Sequence, residues 1–205
     1  MNERSATTLI PETARGSEAA ILNAALEAFG EKGFYGASMR DVARGAKTSL
    51  SNLYNYFPAK SDLLAALLRM ANDELLNRIQ EAVGAAGKRP ADRMSAAVRA
   101  HVRFVVEHQV ASLVALSEIR YLTGAVRKRV VAARDSTQGI YEELVAEGAA
   151  AGDFLTPYPD DAARNIVSMV SAISTWYRAG GRLNAEELGG QHARYALALL
   201  EAPLD

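Results

Sequence analysis

The feature that most constrains this chain is an apolar period of 3.6 residues, broken at short intervals by glycine and proline. Ile21, Ala24, Ala25, Ala28 and Phe29 fall at i, i+3, i+4, i+7 and i+8, one stripe of a helix that starts near Ser17 and ends at Gly33. In FYGASMRDVARGA, Ser38 precedes Asp41 by three residues, a capping box with Asp in place of Glu. It opens a short second helix that turns Val42 and Ala43 inward and closes at Gly45. A tight turn, AKT, follows. Ser49 then caps a short third helix with Leu50, Leu53 and Phe57 on one side, and Pro58 stops it. A long fourth helix begins near Ala59. Leu63, Leu64, Leu67, Leu68, Leu75, Leu76 and Ile79 keep its period to about Val83.

Gly84, Gly87 and Pro90 break the chain, and the remainder predicts helices over 92–108, 110–119, 123–150, 160–179 and 185–201. GDFLTPYP and AGGRLN are loops. No stretch reads as a strand of convincing length. The expected fold is all-α: a flexible, polar N-terminal arm over 1–16, a three-helix helix-turn-helix domain over 17–62, and a larger helical domain over 63–205. Arg4 and Arg15 on the arm could reach a partner, although such tails are more often merely disordered.

Composition narrows the function. The 205 residues contain no cysteine, which removes disulfides, thiol catalysis and cysteine-ligated metal and fits a cytoplasmic location. No apolar run nears the roughly 18 residues that suggest a membrane span, and the N-terminus does not read as a secretory signal. G-x-S-x-G, HExxH and phosphate-loop patterns are missing. The three histidines, His101, His108 and His192, are isolated from ligand-spaced carboxylates, and the serines are not arranged with a base. The chain is therefore expected not to be an enzyme and to carry no metal or resident cofactor.

Charge is uneven although the net is only -1. Between Gly36 and Lys60 stand Arg40, Arg44, Lys47 and Lys60 against the single acid Asp41; from Ser61 onward 16 basic residues face 18 acidic ones. A basic module on an otherwise acidic chain is a footprint of DNA binding, though a solvated helix face has the same composition. The stretch TSLSNLYNYFPAKSD is poor core material, and it falls where the third helix of a helix-turn-helix would enter the major groove. Ser51, Asn52 and Asn55 offer short hydrogen-bonding groups to base edges or phosphates, and Tyr54 and Tyr56 offer hydroxyls to phosphate and rings to a thymine methyl or sugar. Ser38 and Arg40 begin the helix that crosses the backbone. Lys60, in the first turn of the fourth helix, costs about 0.3–1 kcal/mol against the macrodipole. A bound phosphate would reverse that sign; extension into water, or the neighbouring Asp62, would also lessen the cost.

Residues 17–64 resemble the DNA-binding domain of the TetR family of bacterial transcriptional repressors. The resemblance rests on AALEAFGEKGFYGASMRDVARGA and LYNYFPAKSDLL, with Phe29, Gly33, Gly36, Ser38, Val42, Ala43, Leu53, Tyr54, Phe57, Lys60 and Leu63 at the family's spacing. It implies that Ser38, Arg40, Ser51, Asn52, Tyr54, Asn55, Tyr56 and Lys60 meet a double-stranded operator. There are departures. Lys47 stands where a glycine is usual, at a cost of about 1 kcal/mol for a left-handed backbone. Thr48 replaces a valine or isoleucine, and Asn55-Tyr56 replaces an aromatic-histidine pair.

The resemblance implies that the remainder serves dimerisation and a small-molecule inducer. Ala162, Ile166, Met169, Val170 and Ile173 on one helix, and Tyr195, Leu197, Leu199 and Leu200 on another, suit a four-helix bundle between two subunits, whose symmetry a palindromic operator requires. LSEIRYLTGAVRKRVVAARD and VSMVSAISTWYRAGGRLNAEEL look like the subgroup that regulates lipid, steroid or aromatic-acid catabolism, several members of which respond to acyl-CoA thioesters. For an apolar tunnel the candidates are Phe104, Leu116, Ile119, Met169, Ile173 and Trp176; for an anionic head group, Arg103, Arg120, Arg127 and Arg178. Each of these aromatic and aliphatic residues equally suits a plain core. The function expected is a homodimeric repressor released by a small hydrophobic or acyl-CoA-type ligand. A ligand-independent or activating regulator, or a helical protein-binding adaptor, stays open beside it.

Overall fold

The computed structural model describes residues 9–10 and 16–203. The arm's Arg4 and Arg15 lie outside the described residues. Regular structure among the described residues is wholly helical: α1 (Gly16–Gly36), α2 (Met39–Gly45), α3 (Leu50–Tyr56), α4 (Lys60–Ala85), α5 (Pro90–Glu107), α6 (Gln109–Ser117), a 3₁₀ turn (Ile119–Tyr121), α7 (Gly124–Ala151), α8 (Pro159–Ser171), α9 (Ile173–Trp176) and α10 (Ala185–Leu199). The chain forms two compact units that are discontinuous in sequence, unlike the single boundary expected after residue 62. The first comprises residues 1–72 and 110–132, the second 73–109 and 133–205. Helices α4 and α7 contribute to both.

In the first unit α1 packs on α2 and α2 on α3. Ile21, Ala25, Val42, Leu53, Leu63 and Leu64 are fully enclosed. Burying one leucine of this kind is worth about 1.5–3 kcal/mol. Val114 of α6, Leu122 and Val130 join the same core, as does Ile10, so part of the expected arm is buried. Gly33 does not simply end α1. It takes φ 69° and ψ 171°, kinks the helix, and leaves Phe34 to Gly36 as a further turn. Lys47 is left-handed, φ 53°, as its place in the turn demands.

In the second unit α5 and α10 make the most extensive helix pair, with α8 and α9 also against α5. Three helices end clearly short of the sequence expectation, the one over 110–119 at Ser117, and two of the ends have visible causes. The helix expected over 160–179 divides at Ala172 and stops at Trp176, because Gln109 Nε2 donates to Ser174 O (3.1 Å) and Tyr177 O (2.7 Å) and Tyr177 is extended. The last helix stops at Leu199: Glu201 is left-handed, and Leu200 O accepts from Leu155 N (3.0 Å) and Thr156 N (3.2 Å). The bundle stripe also needs correction. Ala162, Ile166, Val170, Ile173 and Leu200 are buried within this single chain, whereas Tyr195 and Leu199 are exposed. Only the latter two among these are available to a second subunit.

Candidate nucleic-acid interface

Local chemistry builds the interface. Ser38 N donates to Asp41 Oδ2 (3.0 Å), Asp41 N donates to Ser38 Oγ (3.1 Å), and the Ser38 hydroxyl donates to Asp41 Oδ2 (2.6 Å). These bonds, with Lys32 3.3 Å away, lower the Asp41 carboxyl to a pKa of about 2. The box fixes the start of α2 but takes up the Ser38 hydroxyl proton, leaving Arg40 beside it exposed and without an ion-pair partner among the described residues. Ser49 caps α3 by accepting from Asn52 N (3.1 Å), and Asn52 Nδ2 donates to Thr48 Oγ1 (2.8 Å). Leu53 anchors α3 in the core, while Ser51, Tyr54 and Asn55 are exposed and Asn52 and Tyr56 half-buried. One face of α3 is thus held by packing, and the other presents amide, hydroxyl and phenol groups to an external partner.

Lys60 is placed in a way the sequence did not disclose. Its Nζ donates to Phe34 O (2.5 Å) and Ala37 O (2.7 Å) and lies 4.5 Å from the centroid of the Phe34 ring. The ammonium faces the carbonyl end of α1, where a cation is favourable, and this offsets its unfavourable place at the start of α4. Asp62 meanwhile caps α4, its Oδ2 accepting from Ala59 N (3.1 Å). One Lys60 donor remains for a phosphate.

Ser38, Arg40, Tyr54 and Lys60 line one concavity of about 660 Å³, together with Tyr35. Sequence reasoning missed Tyr35. It is 76% exposed and packs edge-on against Tyr121, 4.5 Å between centroids. An exposed aromatic inside FYGAS was the available signal.

The residues expected to hold an effector do not form one cluster within a unit. Phe104, Met169, Ile173 and Trp176 belong to the second, Leu116, Ile119 and Arg120 to the first. Phe104 is buried under Arg78 (5.6 Å) and beside His108 (4.9 Å). Ile173 is buried, Met169 half-buried, and Trp176 is 52% exposed, stacked on His192 at 6.3 Å. Leu116 is exposed, Ile119 half-buried, and Arg120 lies over the Tyr121 ring at 5.2 Å. Arg103, Arg127 and Arg178 are all exposed.

A tri-helical unit with an anchored, polar-faced third helix defines a helix-turn-helix DNA-binding protein. Residues 21–67 match the family model described as bacterial regulatory proteins, tetR family, and residues 87–200 match that described as Tetracyclin repressor-like, C-terminal domain. The chain belongs to the TetR family and is a DNA-binding transcriptional regulator rather than an enzyme. It is 25% identical over 179 residues to the HTH-type transcriptional repressor KstR2 of Mycobacterium tuberculosis, covering 86% of this chain and 89% of that one. A solved tetR-family regulatory protein from Rhodococcus RHA1 superposes with a TM-score of 0.88 at 24% identity, covering 94% of this chain and all of that one. AibR, solved in complex with isovaleryl coenzyme A and operator DNA, superposes at 0.80 with 24% identity, covering 92% of this chain and all of that one. These two superpositions establish the shared fold. No helix among the described residues is long and apolar enough to cross a membrane.

Proposed function

We propose that the protein is a cytoplasmic, homodimeric repressor that binds a palindromic operator and is released by a small hydrophobic or acyl-CoA-type ligand. The observation that carries this reading is α3: Leu53 is fully buried while Ser51, Tyr54 and Asn55 stand free on the opposite side. In the complex Ser51, Asn52, Asn55 and Tyr56 read or brace the major groove, while Arg40, Tyr54 and the third Lys60 donor hold phosphates. Ser38 acts by fixing the start of α2. A two-fold dimer sets its recognition helices about 34 Å apart, one DNA turn. Ligand lowers affinity by binding more tightly to the state in which that spacing is lost. The similarity to KstR2, a repressor, and to AibR, whose structure holds isovaleryl coenzyme A with operator DNA, supports the sign of regulation and the ligand class.

The test is fluorescence anisotropy with the DNA upstream of the protein's own gene, across a salt series, with octanoyl-CoA and isovaleryl-CoA added to the complex. Binding that weakens steeply with salt, falls about tenfold or more in Tyr54→Ala and is reversed by an acyl-CoA is expected. Binding indifferent to salt and to Tyr54→Ala, here and after selection from random sequences, would overturn the DNA reading. Tight binding untouched by any acyl-CoA would remove the ligand class.

A further inference from the structure

A second concavity lies wholly within the first unit, between the first turns of α4 and the start of α7. It encloses about 280 Å³ and is lined by Phe57, Asp62, Ala65, Ala66, Arg69, Val126, Arg129 and Val130. Phe57 and Val130 are buried and form its apolar floor. Ala65 and Ala66 face it with side chains too small to fill it. Arg69 from α4 and Arg129 from α7 are both exposed, and neither guanidinium has an ion-pair or hydrogen-bond partner among the described residues. Asp62, the acid at the rim, has one carboxylate oxygen engaged by Ala59 N. The cleft is an apolar recess with a net positive mouth, and both guanidinium groups have donors to offer.

We propose that this cleft binds a small anionic amphiphile, an organic carboxylate with an aliphatic or aromatic body, and that its occupancy sets DNA affinity. An arginine fork matches a carboxylate in geometry and charge, and the recess takes an apolar body out of water. The second half of the proposal follows from Phe57. It is the residue that ends α3, its N–H donating to Leu53 O at 2.9 Å. A body resting on Phe57 touches the recognition helix one residue past its end, while the same ligand bridges α4 and α7. Occupancy changes DNA binding to the extent that the cleft differs between the DNA-competent and DNA-incompetent states. This effect rests on the ligand-released reading above; binding itself does not.

The probes are octanoate and phenylacetate, with octanol and phenylethanol as uncharged counterparts, titrated calorimetrically into the full-length protein. Arg69→Gln and Arg129→Gln serve as head-group variants, and Ala66→Leu as a filled cleft; thermal melting checks that each is folded. Expected is saturable binding of at least one carboxylate, weakened about tenfold by either arginine variant and abolished by Ala66→Leu, with the alcohols indifferent to the arginines. No carboxylate binding at millimolar concentration, or binding that all three folded variants leave unchanged, would overturn the site. The same titrations on the DNA complex separate the two readings. Arginine-dependent carboxylate binding that leaves DNA affinity unmoved keeps the site and overturns its control of DNA. Acyl-CoA release that persists in all three variants, while the carboxylates leave DNA bound, keeps the ligand-released reading and overturns control from this cleft.

Discussion

Lys60 shows how one side chain answers a local difficulty with distant partners. Its two carbonyl acceptors belong to residues 26 and 23 positions earlier, so nothing local in AKSD announces them. Hydrogen bonds from a charged donor are worth about 1.5–3 kcal/mol, so Lys60→Ala should lower stability in urea by about 2 kcal/mol and weaken DNA binding through α1 and α4. Tyr54→Ala, at a position 45% exposed, should leave the urea midpoint nearly unchanged and weaken DNA binding alone. If Lys60→Ala unfolds like the parent and loses only DNA affinity, its principal role is on phosphate. His101 makes a different residue-scale case. It is fully buried, its Nδ1 in hydrogen-bond contact with the Tyr141 hydroxyl (3.1 Å), which also reaches Ala97 O (3.3 Å). Burial lowers its pKa from 6.5 to about 4. The folded value lies below the unfolded one, so the unfolded chain takes up the proton first. Stability is intact above pH 6.5, falls as pH drops below it, and has lost about 3 kcal/mol by pH 4. His108, also buried and lowered by desolvation and Arg78, adds to the loss in the same direction. His101→Gln should flatten most of this slope in urea titrations between pH 7 and 4. Asp41 acts below this window: its contribution is present above pH 3.8 and is lost as pH falls from there to about 2.

The kink in α1 shows the same division between local and distant causes at the scale of elements. The left-handed Gly33 turns the Phe34 N–H away from the helix, and Glu118, buried after α6, accepts it at 2.8 Å. The other Glu118 oxygen accepts from Ser117 Oγ (2.7 Å), and Tyr121 stacks on Phe34 at 5.8 Å. The end of α6 therefore clamps the end of α1, whose carbonyls in turn hold the start of α4. Glu118→Ala leaves the Phe34 N–H buried without a partner and should destabilise by about 1–3 kcal/mol, with DNA affinity falling alongside. Glu118→Gln keeps an acceptor and should recover much of both. Unchanged melting and DNA binding in Glu118→Ala would show that the clamp does not position the DNA-binding helices. The capping box at Ser38, the cap at Ser49 and the left-handed Lys47 were legible because each is settled within four residues of chain. The clamp joins residues 84 apart, and the early end of α9 is set by Gln109, more than sixty residues earlier. Periodicity carries no trace of either.

For the whole molecule, assembly depends on what a single chain leaves exposed. Most of the apolar stripe on α8, attractive in the sequence as a dimer seam, is used up inside the second unit, where Ala162, Ile166 and Val170 are buried. What α10 presents outward is Tyr195, 53% exposed, and Leu199, 41% exposed, four residues apart on one helix face. A second subunit covering them would bury two large side chains of each partner at a two-fold axis, the isologous arrangement a palindromic operator calls for. Replacing both with glutamate places four carboxylates at that axis while altering only exposed positions of the monomer. Sedimentation velocity should then show a dimer for the parent and a monomer for Tyr195→Glu/Leu199→Glu, with helical circular dichroism retained. Because a monomer contacts half as many phosphates, the slope of log affinity against log salt should fall by about half, along with the affinity itself. A parent that sediments as a monomer at micromolar concentration, or a double variant that stays dimeric, would move the seam away from this face of α10.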